Sequence, residues 1–205
     1  MDILWKIIAT LGLVALNGFF VAAEFAAVGA RASRLESEAS RNLLPRLALL
    51  IKRRLDLFLS SCQFGVTVAS LGLGAITEPA VAAIIAPWLT PLHMPGRDIE
   101  GLAFAIALGI ATALHIVLGE QVPKNWAITY SDRLLPVVAL PLVIFTYAFY
   151  PVIWLLNAVT HGVLRLMGVR TDLSAQGGLP HTEQELRGLL AQAVAQGTIG
   201  KGHGA

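Results

Sequence analysis

Three apolar windows, Ile3–Ala30, Leu57–Leu89 and Leu102–Ile128, are each long enough to cross a hydrocarbon core of about 30 Å, which takes about 20 helical residues. Lipid offers backbone N–H and C=O groups no partners, so windows of this kind fold as helices that satisfy their own bonds. A further apolar stretch, Leu134–Leu166, is interrupted by Pro136, Pro141 and Pro151. Composition agrees: 56% of the 205 residues are hydrophobic and 14% are charged, and the mean hydropathy is +0.69. That is too apolar for a soluble domain. The expected fold class is an all-α integral membrane protein, with three transmembrane helices, Pro-broken juxtamembrane helices and short cytoplasmic helices. The first window is no removable signal peptide, because it is too long, contains Glu24 and lacks a basic n-region.

The net charge of +2 gives no reason to expect nucleic acid, but its distribution orients the chain. Arg31, Arg34, Arg41, Arg46, Lys52, Arg53 and Arg54 all lie between the first two windows, whereas the Leu92–Glu100 loop sets Arg97 against Asp98 and Glu100. Positive residues favour the inner side, so the 30–55 connection, a basic helical pair broken at Pro45, is expected in the cytoplasm, where it meets anionic headgroups. The amino terminus is then outside, in a multi-pass protein of the inner or plasma membrane. The Leu134–Leu166 region has two readings. A kinked full span, which Pro permits, would put the tail from Arg170 outside. Short helices lying along or dipping into the inner interface would keep the carboxy terminus cytoplasmic, and Tyr147, Tyr150 and Trp154 around Pro151 favour this second reading. The lone Cys62 can form no intrachain disulfide.

Residues 1–169 are thus read as a transmembrane domain. Residues 170–199 read as a Gly- and Ser-rich linker, Thr171–Pro180, and a cytoplasmic helix. That helix opens on the capping-box pattern Thr182-Glu-Gln-Glu185 and places Leu186, Leu189, Leu190 and Val194 on one face. The stretch 200–205 reads as an artificial end, cut before a further cytoplasmic domain.

Within the apolar windows the polar residues carry the functional signal. Glu120 sits near the end of the run that starts at Leu102, and a carboxylate at such depth costs about 2.5–3.5 kcal/mol on insertion scales unless a cation, proton or basic partner compensates. On the second window Gln63, Thr67, Ser70 and Gly74 recur at helical spacing. On the first, Asn17 and Glu24 share a face, and on the third Thr112, His115 and Gly119 form a stripe with Glu120 at its edge. Three helices offering oxygen donors suit a hard cation. No H-x-x-x-H, C-x-x-C, nucleophile–base pair or Walker loop is present, so neither an enzyme nor a transition-metal site is expected.

Four segments in order, Leu16-Asn-Gly-Phe-Phe-Val-Ala-Ala-Glu-Phe-Ala26, Gln63-Phe-Gly-Val-Thr-Val-Ala-Ser-Leu-Gly-Leu-Gly-Ala-Ile-Thr-Glu-Pro79, Leu118-Gly-Glu-Gln-Val-Pro-Lys-Asn125 and Thr182-Glu-Gln-Glu-Leu-Arg-Gly-Leu-Leu190, together resemble the membrane region of the CorC and cyclin M (CNNM) family. The resemblance covers essentially the whole chain. It implies Mg²⁺ export driven by Na⁺ and action as a homodimer. It also implies a membrane domain of three spans with a juxtamembrane belt, here 134–166, followed by a pair of cystathionine-β-synthase (CBS) domains that bind ATP. Many relatives carry a serine before the first-span glutamate, where this chain has Ala23, whose side chain cannot ligate a metal.

Mg²⁺ demands near-octahedral oxygen coordination and sheds water reluctantly. Pro123 removes the N–H that would have bonded to the carbonyl of Gly119 and so frees that oxygen. The lead metal site is Glu120, Ser70 and the Gly119 carbonyl, with Asn17 and Thr67 as further ligands; Gln63, Glu24, Lys124 and Glu78 belong to the ion pathway or the surround. Each has a structural alternative. Glu120 and Lys124 suit a helical ion pair, Ser70 and Thr67 can bond back one turn, and Gln63 and Asn17 can join helices. Glu78 suits an outer vestibule, and His115 a buried packing role. The small residues Gly18, Ala22 and Ala26, with Gly65, Ala69, Gly72 and Gly74, serve close helix approach within a protomer or between two. The expected function is a Mg²⁺ exporter with Na⁺ as counter-ion; the alternatives are a membrane anchor or scaffold that regulates another transporter, and a cation channel.

Overall fold

The computed structural model describes residues 2–39, 42–89 and 96–168. The linker, the capping-box helix and the end assigned to 170–205 lie outside the described residues. Among those described there is no strand. Seven α-helices run in order: α1 (Asp2–Gly29), α2 (Ala32–Ala39), α3 (Leu43–Arg53), α4 (Leu55–Leu89), α5 (Gly96–Leu114), α6 (Val122–Ala148) and α7 (Tyr150–Leu166), with a π-helical segment, His115–Gln121, joining α5 to α6. The segments Leu4–Gly29, Leu55–Thr77 and Asp98–Ala148 are long and apolar enough to cross a membrane, which makes this a multi-pass helical membrane protein.

The chain divides into two compact units, Met1–Val159 and Thr160–Ala205. The first contains the spans. Of the second, the described part is the end of α7, closed by Gly168 at φ 78°, the left-handed conformation glycine adopts freely, with its N–H on the Arg165 carbonyl at 3.0 Å.

In the first unit α1 and α4 run antiparallel along a seam that can be traced residue by residue. Thr10 meets Thr77 at 3.0 Å between hydroxyls, Leu13 packs on Gly72, Ser70 bonds Asn17 at 3.1 Å, and the Phe20 ring fills the hollow over Gly65. A Cβ on Gly65 would stand 2.5 Å from that ring, so glycine is required by the approach of the two helices. Gly18 gives similar room to the Pro123 ring, at 2.9 Å from an added Cβ, while Ala22 and Ala26 are buried in the core. The small residues therefore serve contacts within the protomer.

The basic connection forms a helical pair, α2 and α3, but its break falls at Asn42, extended at φ −132° and ψ 143°. Pro45 lies in the first turn of α3, where its missing N–H disturbs nothing. The last turn of α1 contains no basic residue, and Lys52 supplies one from α3. Its ammonium donates to the carbonyls of Ala27 (3.0 Å) and Val28 (3.3 Å), matching the negative end of the helix dipole. Burial lowers the Lys52 pKa from its ordinary value.

The segment Asp98–Ala148 has 51 residues, about 75 Å of helix at 1.5 Å per residue, more than twice what one crossing needs. It is divided at Tyr130, whose φ −122° and ψ 30° are not helical. After that kink α6 doubles back: Asp132 sits against Arg31, whereas Phe145 packs on Phe20 of α1 and near Phe64 of α4. Pro136 and Pro141 lie inside α6 without ending it, because Leu134, Leu135, Val138, Ala139 and Leu142 are held in the core with α1, α3 and α4. The chain turns at Phe149, and Asn157 of α7 accepts a hydrogen bond from Ser60 at 2.8 Å, one turn of α4 back from Phe64. The breaks thus fall at Tyr130 and at Phe149, whose φ −101° and ψ 12° leave the helix, and Pro151 in the first turn of α7 has no N–H to return to the Tyr147 carbonyl. The second half of α6 and the first part of α7 form a helical hairpin that enters alongside α1 and α4 and returns.

Candidate cation site

Asn17 lies twelve residues before the end of α1, about 18 Å from Gly29, and so near the middle of the Leu4–Gly29 span. An unpaired amide there would be costly. Asn17 is buried, and both ends of its amide are used: Nδ2 donates to the Gly119 carbonyl at 2.8 Å, and Oδ1 accepts from Ser70 Oγ at 3.1 Å. Ser70 Oγ also lies 3.4 Å from His115 Nε2. One residue from each of the three spans, plus a backbone carbonyl, meets in a single polar network.

The π-helical segment makes this meeting possible. A π turn inserts one residue and rotates the next stretch of helix by about 100° relative to a continuous α-helix. Pro123 cannot return an N–H to Gly119, and the freed carbonyl turns to Asn17 instead. Gly119 is itself required by the packing, since an added Cβ would lie 2.9 Å from the His115 ring and 3.2 Å from Asn17 Nδ2. Beside the network is a cleft of about 130 Å³ lined by Ser70, Leu73, Gly74, Thr77, Ala111, Thr112 and His115. At about 30 Å³ per water it has room for about four, and it runs from Ser70 toward the Thr10–Thr77 pair.

The fold brings together Asn17, Ser70 and the Gly119 carbonyl, and adds His115. It does not bring the others to them. Glu120 is exposed in this protomer, directly after Gly119 and therefore at mid-span depth. Glu120 and Lys124 form no ion pair among the described residues; Lys124 instead holds its ammonium 4.9 Å from the centre of the Phe25 ring, a cation–π contact. Glu120 lies in the last turn of the π segment and Lys124 in the first turn of α6, and the pair straddles that junction. Thr67 and Gln63 are exposed, and Thr67 bonds back to the Gln63 carbonyl at 2.8 Å. The buried face of α4 runs instead through Cys62, Gly65, Ala69, Leu73 and Thr77, and Ser70 borders it. Glu24 is half-buried, and Ala23 is fully buried in the core. Glu78 lies on α4, with its side chain outside the described residues. His115 falls short of a metal cluster: among the described residues no three His, Cys, Asp or Glu side chains converge.

Three spans meeting at a buried polar network define a multi-pass helical membrane protein. The chain belongs to the CNNM family, whose Cyclin M transmembrane N-terminal domain matches residues 8–203. Similar proteins include UPF0053 protein YhdT of Bacillus subtilis, 37% identical over 190 residues, which cover 91% of this chain and 40% of that one. UPF0053 protein YhdP of the same organism is 34% identical over 202 residues, covering 97% and 44%. The uncharacterized protein Rv1841c of Mycobacterium tuberculosis is 31% identical over 200 residues, covering 97% and 56%. The chain spans about half the length of the curated relatives it matches.

Proposed function

We propose that this chain forms the membrane part of a Mg²⁺ exporter that exchanges Mg²⁺ for Na⁺ by alternating access around the Asn17–Ser70–Gly119 network, as a homodimer. The observation that carries the reading is the convergence of an amide, a hydroxyl and a proline-freed carbonyl from three spans at mid-membrane depth, beside a cleft of about 130 Å³. These are hard, neutral oxygens of the sort Mg²⁺ and Na⁺ accept. The network alone cannot neutralise a dication in low dielectric, so a carboxylate is needed. Glu120 is the nearest in sequence, one residue from the Gly119 carbonyl. Its exposure at mid-span is untenable against lipid, which argues for a second copy covering that face. Re-phasing of the π segment, by a change of its i→i+5 bonds to α-helical ones, would be the step that turns Glu120 toward the network as the ion binds. ATP would act through a CBS-domain pair in the longer protein.

The test is Mg²⁺ flux from proteoliposomes with and without a Na⁺ gradient, comparing the parent with Ser70→Ala and Glu120→Ala variants that assemble normally. Gradient-dependent flux in the parent, lost in both variants, supports the exchanger and its site. Flux that ignores the Na⁺ gradient removes the coupling, and equal flux in all three removes the site.

A further inference from the structure

The kink at Tyr130 creates a second feature, remote from the polar network. Where α1 ends and α6 begins to double back, Arg31, Arg34 and Arg133 surround a cleft of about 450 Å³ whose other walls are Ile128, Thr129, Tyr130, Ser131 and Asp132. Three guanidiniums face one carboxylate, so two positive charges are left over. The carboxylate is already engaged: Asp132 accepts from the Arg31 backbone N–H at 2.8 Å and from its guanidinium at 2.8 and 3.2 Å. Arg34 adds one bond at 3.3 Å, which leaves most of its donors free, and its side chain is 54% exposed. Arg133 is partly exposed too. A rigid clasp of Arg31 on Asp132 thus presents two further arginines around an open, roomy cleft, an arrangement suited to a phosphate group.

We infer that this cleft binds the phosphate of an anionic phospholipid, through Arg34 and Arg133, with Ser131 among its walls. Its level in the fold favours a lipid over a free anion. Arg31 comes two residues after Gly29, the last residue of the first span. The surface leading to the cleft along α6 exposes Trp126, Ile128 and Tyr130, the aromatic and apolar mixture found at the headgroup boundary. A lipid seated there would rest its acyl chains on that surface and its phosphate on the arginines. It would also bridge the basic connection to the start of the helical hairpin, since Arg34 belongs to α2 and Arg133 to α6.

The test uses detergent-purified protein and native mass spectrometry or tryptophan quenching with three probes: short-chain phosphatidylglycerol, short-chain phosphatidylcholine and inorganic phosphate. The variants are Arg34→Gln/Arg133→Gln, which spares the Arg31–Asp132 clasp, and Arg53→Gln/Arg54→Gln, which removes the same charge from positions elsewhere. The expected result is preferential phosphatidylglycerol binding that weakens at least tenfold in the first variant and less than twofold in the second. Equal weakening in both would reduce the effect to diffuse charge and overturn the site. Inorganic phosphate competing at equal concentration would make it a free-anion site and overturn the lipid assignment. If the first variant fails to fold, the wild-type probe series still decides, because equal binding of the two lipids overturns the proposal.

Discussion

The two polar centres of this molecule are built on opposite principles. The network at Asn17, Ser70, His115 and Gly119 contains no carboxylate, lysine or arginine, is largely buried, and draws one side chain from each span. The clasp at Arg31, Arg34 and Asp132 is charged and open to solvent, and it lies at the end of a span. The contrast comes from the solvent each must replace. At mid-membrane depth an unsatisfied amide or carbonyl has no water to turn to, so each donor is matched with an acceptor and formal charge is kept out. At the headgroup level water remains available and ion pairs are screened, so charge can be left unbalanced and used for recognition. Glu120 stands apart from both, at the depth of the polar network yet outside it, and the proposed function gives it a cation as counterpart.

The sharpest way to break the neutral centre is to crowd it. Gly119→Ala would place a methyl 2.9 Å from the His115 ring, and overpacking of this kind costs about 1–3 kcal/mol. Because the same change forces His115 or Asn17 aside, ion flux is expected to disappear even where the protein still folds. Thermal unfolding in detergent beside proteoliposome flux separates the two effects, and unchanged flux would show that the network is not on the ion path. Asn17→Ala ranks next. It strips the partner from a buried carbonyl whose helical bond Pro123 has already removed, a loss of about 1–3 kcal/mol, whereas Ser70→Ala leaves the Asn17–Gly119 bond intact and should cost under about 1 kcal/mol. A stability order with Ser70→Ala worse than Asn17→Ala would mean that the amide is not the keystone. Glu120→Gln is expected not to destabilise the folded protein, because it removes an ionisable group from mid-span depth where charge is costly, while abolishing flux.

The spans and the all-helical class are legible in the sequence because length and hydropathy alone decide them in a bilayer. Asn17, Ser70 and Gly119 are legible as polar groups at helical spacing, and Pro123 points to the freed carbonyl. Three things are not. The π segment leaves no mark in composition, yet it sets the Gly119 carbonyl at the network and leaves Glu120 exposed. The polar stripe Gln63–Thr67–Ser70–Gly74 reads as one face, but the helix buries its small residues instead, because close approach to α1 is worth more than another interhelical hydrogen bond in lipid. Prolines read as breaks at Pro136 and Pro141, whereas packing of α6 into the core keeps it whole and the breaks fall at Tyr130 and Phe149. His115 reads as a packing residue, although its alignment with Thr112 and Gly119 on one stripe already places it beside the glycine it adjoins.

The charged centre should yield least and answer to different variables. Asp132→Asn removes the carboxylate from the clasp but leaves Arg31, Arg34 and Arg133 in solvent, so the expected loss is under about 1 kcal/mol and should shrink as salt rises. The Arg31 backbone N–H, its guanidinium and Arg34 hold the wild-type carboxyl at about 2, well below its ordinary value. A lowered folded-state pKa means the stabilisation is fully present above the ordinary aspartate range and is lost as pH falls toward 2. The difference between wild type and Asp132→Asn, tracked by thermal unfolding, should therefore be flat from about pH 5 to 8 and narrow only below about pH 4. A difference that is insensitive to salt, or that exceeds the Asn17→Ala effect, would mean that the clasp is a dry structural pair and that the two centres do not differ in kind.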